Sequence, residues 1–177
     1  MKKKVLAFAA SNSSVSINHQ LVAYAARQVT DAEVVFLDIH DFEMPIYRHD
    51  REVADGIPDL AHRFLARIAE ADALLISFAE HNGSYPAAFK NLFDWASRIG
   101  RDVWQDRPMA LLATSPGPGG AGRVLAIAES AAPHFGGNVV GSLSVPKFFE
   151  VFDSDQGRLT DPELDGQLQD LLNKLTA

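Results

Sequence analysis

The chain has 177 residues, 47% of them hydrophobic and 22% charged, a composition typical of one globular domain rather than of a disordered or fibrous protein. Its formal net charge of −7 argues against nucleic acid as the main partner, because such surfaces need clustered Lys and Arg. The absence of cysteine excludes disulfides, thiolate metal sites and cysteine nucleophiles. We therefore expect a single domain over residues 1–177.

The first residues, MKKKVLAFAASNSS, place positive charge before apolar residues, as a signal peptide does. The apolar run is short and breaks into serines, so we expect no signal peptide. No segment approaches the roughly 20 apolar residues of a membrane span. The sequence thus predicts a cytoplasmic protein without a membrane partner.

Short apolar segments predict five β-strands. Most are almost continuously apolar, which is typical of strands buried on both faces of a sheet. Helices are then required on both faces. The predicted strands are Lys4–Ala9, Glu33–Asp38, Ala73–Phe78, Met109–Thr114 and Asn138–Val145.

Longer segments with helical spacing alternate with these strands. This alternation predicts an α/β fold, a doubly wound parallel sheet with right-handed crossovers. One long irregular segment, His40–Ile57, exceeds an ordinary connection and is predicted to be functional or interfacial. The predicted helices are Ile17–Val29, Pro58–Ala71, Pro86–Ile99, Gly122–Phe135 and Asp161–Leu175.

Ligands of such sheets bind beyond the carboxyl ends of the strands, which directs attention to the loops after the first, third and fourth strands. The first of these loops, AASNSSVSIN, holds four serines and two asparagines. It lacks the P-loop and G-x-G-x-x-G patterns. Two interpretations are open: helix capping, or a phosphate site. The candidate phosphate ligands are backbone N–H groups and the side chains of Ser11, Ser13, Ser14, Ser16 and Asn18.

The other two loops have unusual compositions as well. After the third strand, AEHNGSYPAAFKNLFDW contains a turn signal whose backbone groups suit the hydrogen-bonding edge of a planar heterocycle. After the fourth strand, the glycines of TSPGPGGAGR allow a flat ring to approach the backbone closely. Arg123, at the start of the next helix, has the wrong sign for the helix dipole, which indicates an ion pair or an anionic ligand.

Together these motifs resemble the NADPH-dependent FMN reductase family. The resemblance rests on Ser-x-x-Ser-x-Ser-x-Asn, Glu-x-Asn-Gly-Ser-x-Pro and Ser-Pro-Gly-x-Gly-Gly in this order, and it covers most of the chain. It implies a flavodoxin-like fold, strand order 2-1-3-4-5, and FMN as cofactor. The cofactor-binding residues that we predict on this basis are Ser11, Ser13, Ser16 and Asn18 for the phosphate, Glu80, His81, Asn82 and Gly83 for the ring, and Ser115, Pro116, Gly117 and Gly120 along its other side.

The resemblance also implies chemistry. NADH or NADPH would reduce FMN, which would then reduce a quinone, an azo compound, a metal oxyanion or free flavin, so neither a protein nucleophile nor a metal site is expected. His81 is a candidate proton donor. The chain departs from the family at Ala10 and Ser13, where glycine and arginine are usual, and at Ala79 and His81, where proline and an aromatic residue are usual.

Family members also imply a homodimer, or a homotetramer, with the flavin near the subunit interface. The helix Pro86–Ile99 supports this, because Phe89, Leu92, Phe93 and Trp95 exceed the apolar surface that one helix face needs. The alternative is that these side chains fill the monomer's own core.

Two other functions stay open, a flavodoxin-type electron carrier and a cofactor-free binding or scaffold protein of the same fold. A phosphoacceptor receiver domain is excluded, because Ala9 and Ala10 stand where it needs acidic residues. A serine hydrolase is not supported, because neither Ser84 nor Ser115 lies in G-x-S-x-G.

Overall fold

The computed structural model describes residues 2–177 and contains a five-stranded parallel sheet with the order β2-β1-β3-β4-β5. This confirms the doubly wound architecture and the strand order. All five predicted strands exist: the third and fifth have the predicted bounds, and the bounds of the other three shift by at most two residues. The strands are β1 Lys3–Ala10, β2 Ala32–Phe36, β3 Ala73–Phe78, β4 Pro108–Thr114 and β5 Asn138–Val145.

Helices cover both faces of the sheet, as predicted. Alternate residues of β1 explain why both faces are apolar: Leu6 and Phe8 face one core, and Val5 and Ala7 face the other. The first core is covered by α3, α4 and α5, and the second by α1 and α7. The helices are α1 Ile17–Gln28, α2 His49–Asp55, α3 Asp59–Ala69, α4 Ala87–Ile99, α5 Gly122–Ala131, α6 Phe148–Val151 and α7 Pro162–Thr176.

Several elements differ from the sequence prediction. The helix expected over Gly122–Phe135 ends at Ala131 and continues as a 3₁₀ turn, Ala132–Phe135, where Pro133 lacks the N–H that an α-helix needs. A short antiparallel hairpin, β6 Phe152–Asp153 and β7 Arg158–Leu159, was not predicted. Within residues 2–177 no helix has both the length and the apolar character required to cross a bilayer.

The segment His40–Ile57, expected to be irregular, contains α2 and overlaps a 3₁₀ turn, Ile39–Phe42. Its central part is bonded to α4 of the same chain. Asn91 donates through Nδ2 to the carbonyl of Met44 at 2.9 Å and accepts from the N–H of Tyr47 at 2.8 Å. Trp95 Nε1 donates to the carbonyl of Pro45 at 2.7 Å. These bonds fix the segment to its own domain.

The aromatic residues of α4 mostly fill the monomer's core. Phe89, Leu92 and Trp95 are at most 1% exposed, and only Phe93 is half-buried. The inference that these side chains are surplus surface was therefore wrong for three of the four. Helix α4 lies between the sheet and residues 43–52 of the same chain, so it is covered on two sides. It therefore needs more apolar residues than one face provides.

Candidate flavin site

A cleft of about 270 Å³ opens at the carboxyl ends of β1, β3 and β4, the edge of the sheet at which the sequence predicts the site. It brings together the beginnings of all three predicted loops. Eight of the twelve predicted residues line it, namely Ser11, Ser13, Ser16, Asn18, Glu80, His81, Ser115 and Pro116. The lining also includes four residues that the prediction missed, Val15, Ile17, Ala79 and Thr114, each of which neighbours a predicted residue in sequence.

The serine loop, residues 11–16, combines capping with open hydrogen-bonding capacity. Ser16 Oγ accepts from the N–H of His19 at 3.3 Å and caps α1, and Ser11 Oγ accepts from the N–H of Ser13 at 3.3 Å. Because both hydroxyl oxygens act as acceptors here, their protons stay available to a ligand. Within residues 2–177 the N–H groups of Ile17 and Asn18 have no acceptor. A helix N-terminus with free N–H groups and hydroxyls is suited to binding an anion.

The side chain of Asn18, which the sequence predicts at the phosphate, is bonded within the protein. It is 3% exposed and lies under the cleft, where Oδ1 accepts from Ser77 Oγ at 2.8 Å and from the N–H of Thr114 at 3.0 Å. Its Nδ2 donates to the carbonyl of Thr114 at 3.2 Å. Asn18 thus links α1 to β3 and β4, and most of its capacity is used within the protein.

The turn after β3 is a tight two-residue hairpin. His81 and Ser84 exchange backbone hydrogen bonds of 2.9 and 3.1 Å, and Asn82 and Gly83 have φ values of 54° and 77°. Positive φ at both central positions is the pattern of a type I′ turn, for which Asn-Gly is the preferred sequence. The side chain of His81 is exposed and lines the cleft, whereas Asn82 and Gly83 do not line it.

Glu80 is tied to the next helix. Its Oε2 accepts from the N–H of Val124 at 3.0 Å, so it caps α5, which has no side-chain cap of its own. A carboxylate at a helix N-terminus is stabilised by the helix dipole. Sequence reasoning had assigned Glu80 to the flavin ring and did not foresee this bond, because the two residues are far apart in the chain.

The glycine loop, residues 115–120, is held by the end of β5 and by the residues that follow it. The carbonyls of Ser115 and Gly117 accept from the N–H groups of Phe148 at 3.1 Å and Lys147 at 2.9 Å. Ser144 Oγ donates to the carbonyl of Gly120 at 2.8 Å. Ser115 and Pro116 reach the cleft, but Gly117 and Gly120 do not line it and instead hold the loop in place.

Within residues 2–177 no group of three or more His, Asp or Glu side chains is arranged to hold a metal ion. The polar groups of the site are hydroxyls, backbone groups, one imidazole and the carboxylate of Glu80, around a cleft at the β1/β3 switch point. A sheet of order 2-1-3-4-5 with a ligand cleft at this point defines the flavodoxin-like class, whose type member binds FMN there.

Comparison with known proteins identifies the family. The model of the family described as NADPH-dependent FMN reductase matches residues 3–150. A probable NADPH:quinone oxidoreductase 2 of Oryza sativa subsp. japonica is 31% identical over 98% of this chain and 87% of its own length. A 2-hydroxy-1,4-benzoquinone reductase of a Burkholderia species is 38% identical over 73% of this chain and 68% of its own.

A solved structure agrees with these matches. The flavoenzyme NAD(P)H:(acceptor) oxidoreductase FerB from Paracoccus denitrificans superposes with a TM-score of 0.79 at 31% identity, covering 98% of this chain and 95% of that one. The chain therefore belongs to the NADPH-dependent FMN reductase family. It is a reductase of this kind, with FMN as cofactor and NAD(P)H as co-substrate.

Proposed function

We propose that the protein is a quinone reductase that transfers two electrons from NAD(P)H, by way of FMN, to a quinone. The observation that carries the proposal is the cleft at the β1/β3 switch point, with an anion-binding helix start on one side and a fixed loop on the other. The names of the rice and Burkholderia relatives support a quinone as the acceptor. Azo compounds, metal oxyanions and free flavin are the alternative acceptors.

The residues that line the cleft fit FMN. The serine loop and the free N–H groups of Ile17 and Asn18 are suited to the phosphate. The turn at His81 and the residues Ser115 and Pro116 would flank the ring. FMN, when bound, supplies the capacity to accept and release electrons, and the protein supplies binding and orientation.

Among the side chains that line the cleft, His81 is the one best placed to donate a proton during quinone reduction. It is exposed, it lines the cleft, and within residues 2–177 its imidazole makes no hydrogen bond or ion pair. An imidazole can give up a proton near neutral pH. We expect His81→Gln, measured in protein saturated with FMN, to slow quinone reduction at least about tenfold. The matched control is His62→Gln, which changes an exposed histidine on α3, outside the cleft.

A homodimer, either alone or paired into a tetramer, is part of the proposal. Between α4 and α5 lies an apolar groove of about 210 Å³ whose lining includes Tyr85, Phe93 and Phe135. The groove begins directly after the His81–Ser84 turn, so a second copy seated there would lie beside the cleft. Sedimentation should give at least twice the chain mass of 19.3 kDa, and Phe93→Glu should give the monomer. The cytoplasmic location remains a prediction from the sequence.

The test of the function is an anaerobic half-reaction experiment on the FMN-loaded protein. NADPH or NADH should bleach the flavin absorbance, and a benzoquinone added afterwards should restore it within the mixing time of a stopped-flow instrument. If only dithionite or a separate reductase bleaches the flavin, the protein is an electron carrier of the flavodoxin type. If the flavin is reduced by NAD(P)H but quinones restore it no faster than azo dyes or free FMN do, the assignment of the acceptor is wrong.

A further inference from the structure

Arg123 is a cation in an electrostatically unfavourable position. It lies in the first turn of α5, where the N-terminal end of the helix dipole repels positive charge. Its side chain is exposed. A cation at this position lowers the stability of the helix, so we expect an anionic partner that offsets the repulsion.

The carboxylate of Glu80 caps the same helix start, but within residues 2–177 no acid is bonded to Arg123 itself. The guanidinium of Arg123 makes no hydrogen bond and no ion pair there, whereas Arg98, for comparison, is bonded to Glu52 at 2.9 Å. Glu80, the acid that lines the cleft, accepts from the backbone N–H of Val124 and not from Arg123. Arg123 is therefore available to a ligand.

The turn after β3 fixes where this cation lies. A β carbon placed on Gly83 would be 3.4 Å from Cδ of Arg123 and 3.7 Å from Nη1, so the side chain extends over the glycine of the turn. His81, in the same turn, lines the cleft. Arg123 is thus beside the mouth of the cleft and on the α5 side of it.

We propose that Arg123 binds a phosphate group of the dinucleotide that reduces the flavin. This inference rests on the proposed function, in which two phosphorylated ligands meet at one cleft. The serine loop follows β1, on the other side of β3 from the strand that leads into α5, and it is suited to the phosphate of FMN. The second anion then needs its own cation in a chain of net charge −7, and a guanidinium is suited to phosphate because it can donate two parallel hydrogen bonds.

The test compares Arg123→Gln with wild type, with Arg123→Lys as the conservative variant. Arg63→Gln is the matched control, since it removes the charge of an exposed arginine on α3 that has no ion pair within residues 2–177. Anaerobic stopped-flow reduction of the FMN-loaded proteins gives the apparent Kd for the donor and the limiting rate separately. Calorimetric titration with ADP and with 2′,5′-ADP measures phosphate binding without any reaction.

We expect Arg123→Gln to raise the apparent donor Kd at least about tenfold, as the loss of a charge-assisted hydrogen bond does, with the limiting rate and FMN affinity within about twofold of wild type. Arg123→Lys should restore part of the affinity. Loss of 2′,5′-ADP binding alone assigns the 2′-phosphate, and loss of ADP binding assigns the pyrophosphate.

A donor Kd in Arg123→Gln that matches Arg63→Gln would overturn the inference while leaving the reductase function intact. If wild type is not reduced by either donor, the proposed function fails, and the two titrations still decide the role of Arg123. If neither ADP nor 2′,5′-ADP binds wild type more tightly than Arg123→Gln, the inference is wrong whatever the flavin does.

Discussion

The serine loop and the glycine loop form two sides of the same cleft but differ in how they are held. Hydrogen bonds of the serine loop are local, join residues two to four positions apart, and measure 3.2 to 3.4 Å. The glycine loop is bonded at 2.8 to 3.1 Å to residues 144–148, which lie more than twenty positions away. We therefore expect the serine loop to exchange hydrogen bonds with a ligand more readily than the glycine loop.

This difference shows that a polar motif and a glycine motif contribute to a binding site in different ways. Residues of the serine loop are mostly exposed and keep unused donors, so they can interact with a ligand directly. Gly120 is buried and touches no part of the cleft, so its contribution is to shape the loop that carries Ser115 and Pro116. Substitutions in the fixed loop should therefore lower stability first, and substitutions in the serine loop should lower ligand affinity first.

The largest effect is expected for Gly120→Ala. The new β carbon would lie 2.3 Å from Ser144 Oγ and 2.9 Å from the backbone nitrogen of Pro146, at a residue whose φ is +55°. The steric overlap and the left-handed conformation together should lower the free energy of unfolding by about 2–4 kcal/mol. Urea denaturation measures this change.

Gly119→Ala is the control for this prediction. A β carbon on Gly119 meets no atom within 4 Å, so its stability should stay within about 0.5 kcal/mol of wild type. Equal stability of the two variants would show that the loop is not fixed by Gly120, and the contrast between the two loops would no longer hold.

An intermediate effect is expected for Asn18→Ala. It would leave Ser77 Oγ and both backbone groups of Thr114 without the partners they now have in a buried place. The free energy of unfolding should fall by about 2 kcal/mol even without flavin. If Asn18 served only as a phosphate ligand, thermal denaturation of the flavin-free variant would match that of wild type. The exposed Asn12→Ala is the control.

The smallest effect is expected for Ser16→Ala, which removes the N-cap of α1. The cost should be about 1 kcal/mol in the free energy of unfolding. Ser16→Thr retains the hydroxyl and should recover most of this loss, and Ser14→Ala, at an exposed serine without a side-chain hydrogen bond within residues 2–177, should change little. A Ser16→Ala protein as stable as Ser14→Ala would mean that the hydroxyl does not cap the helix.

Much of the fold could be predicted because its signals are local. Continuous apolar runs predicted all five strands, and the turn at Asn82 and Gly83 followed from a dipeptide whose backbone preference is strong. The strand order was available only from the resemblance to a family, since nothing in the spacing of the segments specifies which strands are neighbours.

The roles of individual side chains were harder to predict, because they depend on contacts between distant parts of the chain. Asn18 reaches a partner 96 positions away, and Glu80 reaches one 44 positions away. From the sequence alone, each of these two side chains is equally suited to bind a ligand or the protein's own backbone. Trp95 was misjudged for the same reason, because the segment that covers it lies 50 positions earlier in the chain.

The most direct test of the cleft is the affinity for FMN relative to riboflavin, which lacks the phosphate. Flavin fluorescence titrations should show that wild type binds one FMN per chain at least about tenfold more tightly than riboflavin, because the serine loop and the start of α1 hold the phosphate. In the double variant Ser11→Ala, Ser16→Ala the two affinities should differ less than in wild type, through a loss of FMN affinity alone, while the backbone N–H groups of Ile17 and Asn18 retain part of the preference. Equal affinities for FMN and riboflavin in wild type, or an unchanged ratio in the double variant, would contradict the assignment of the phosphate to the serine loop.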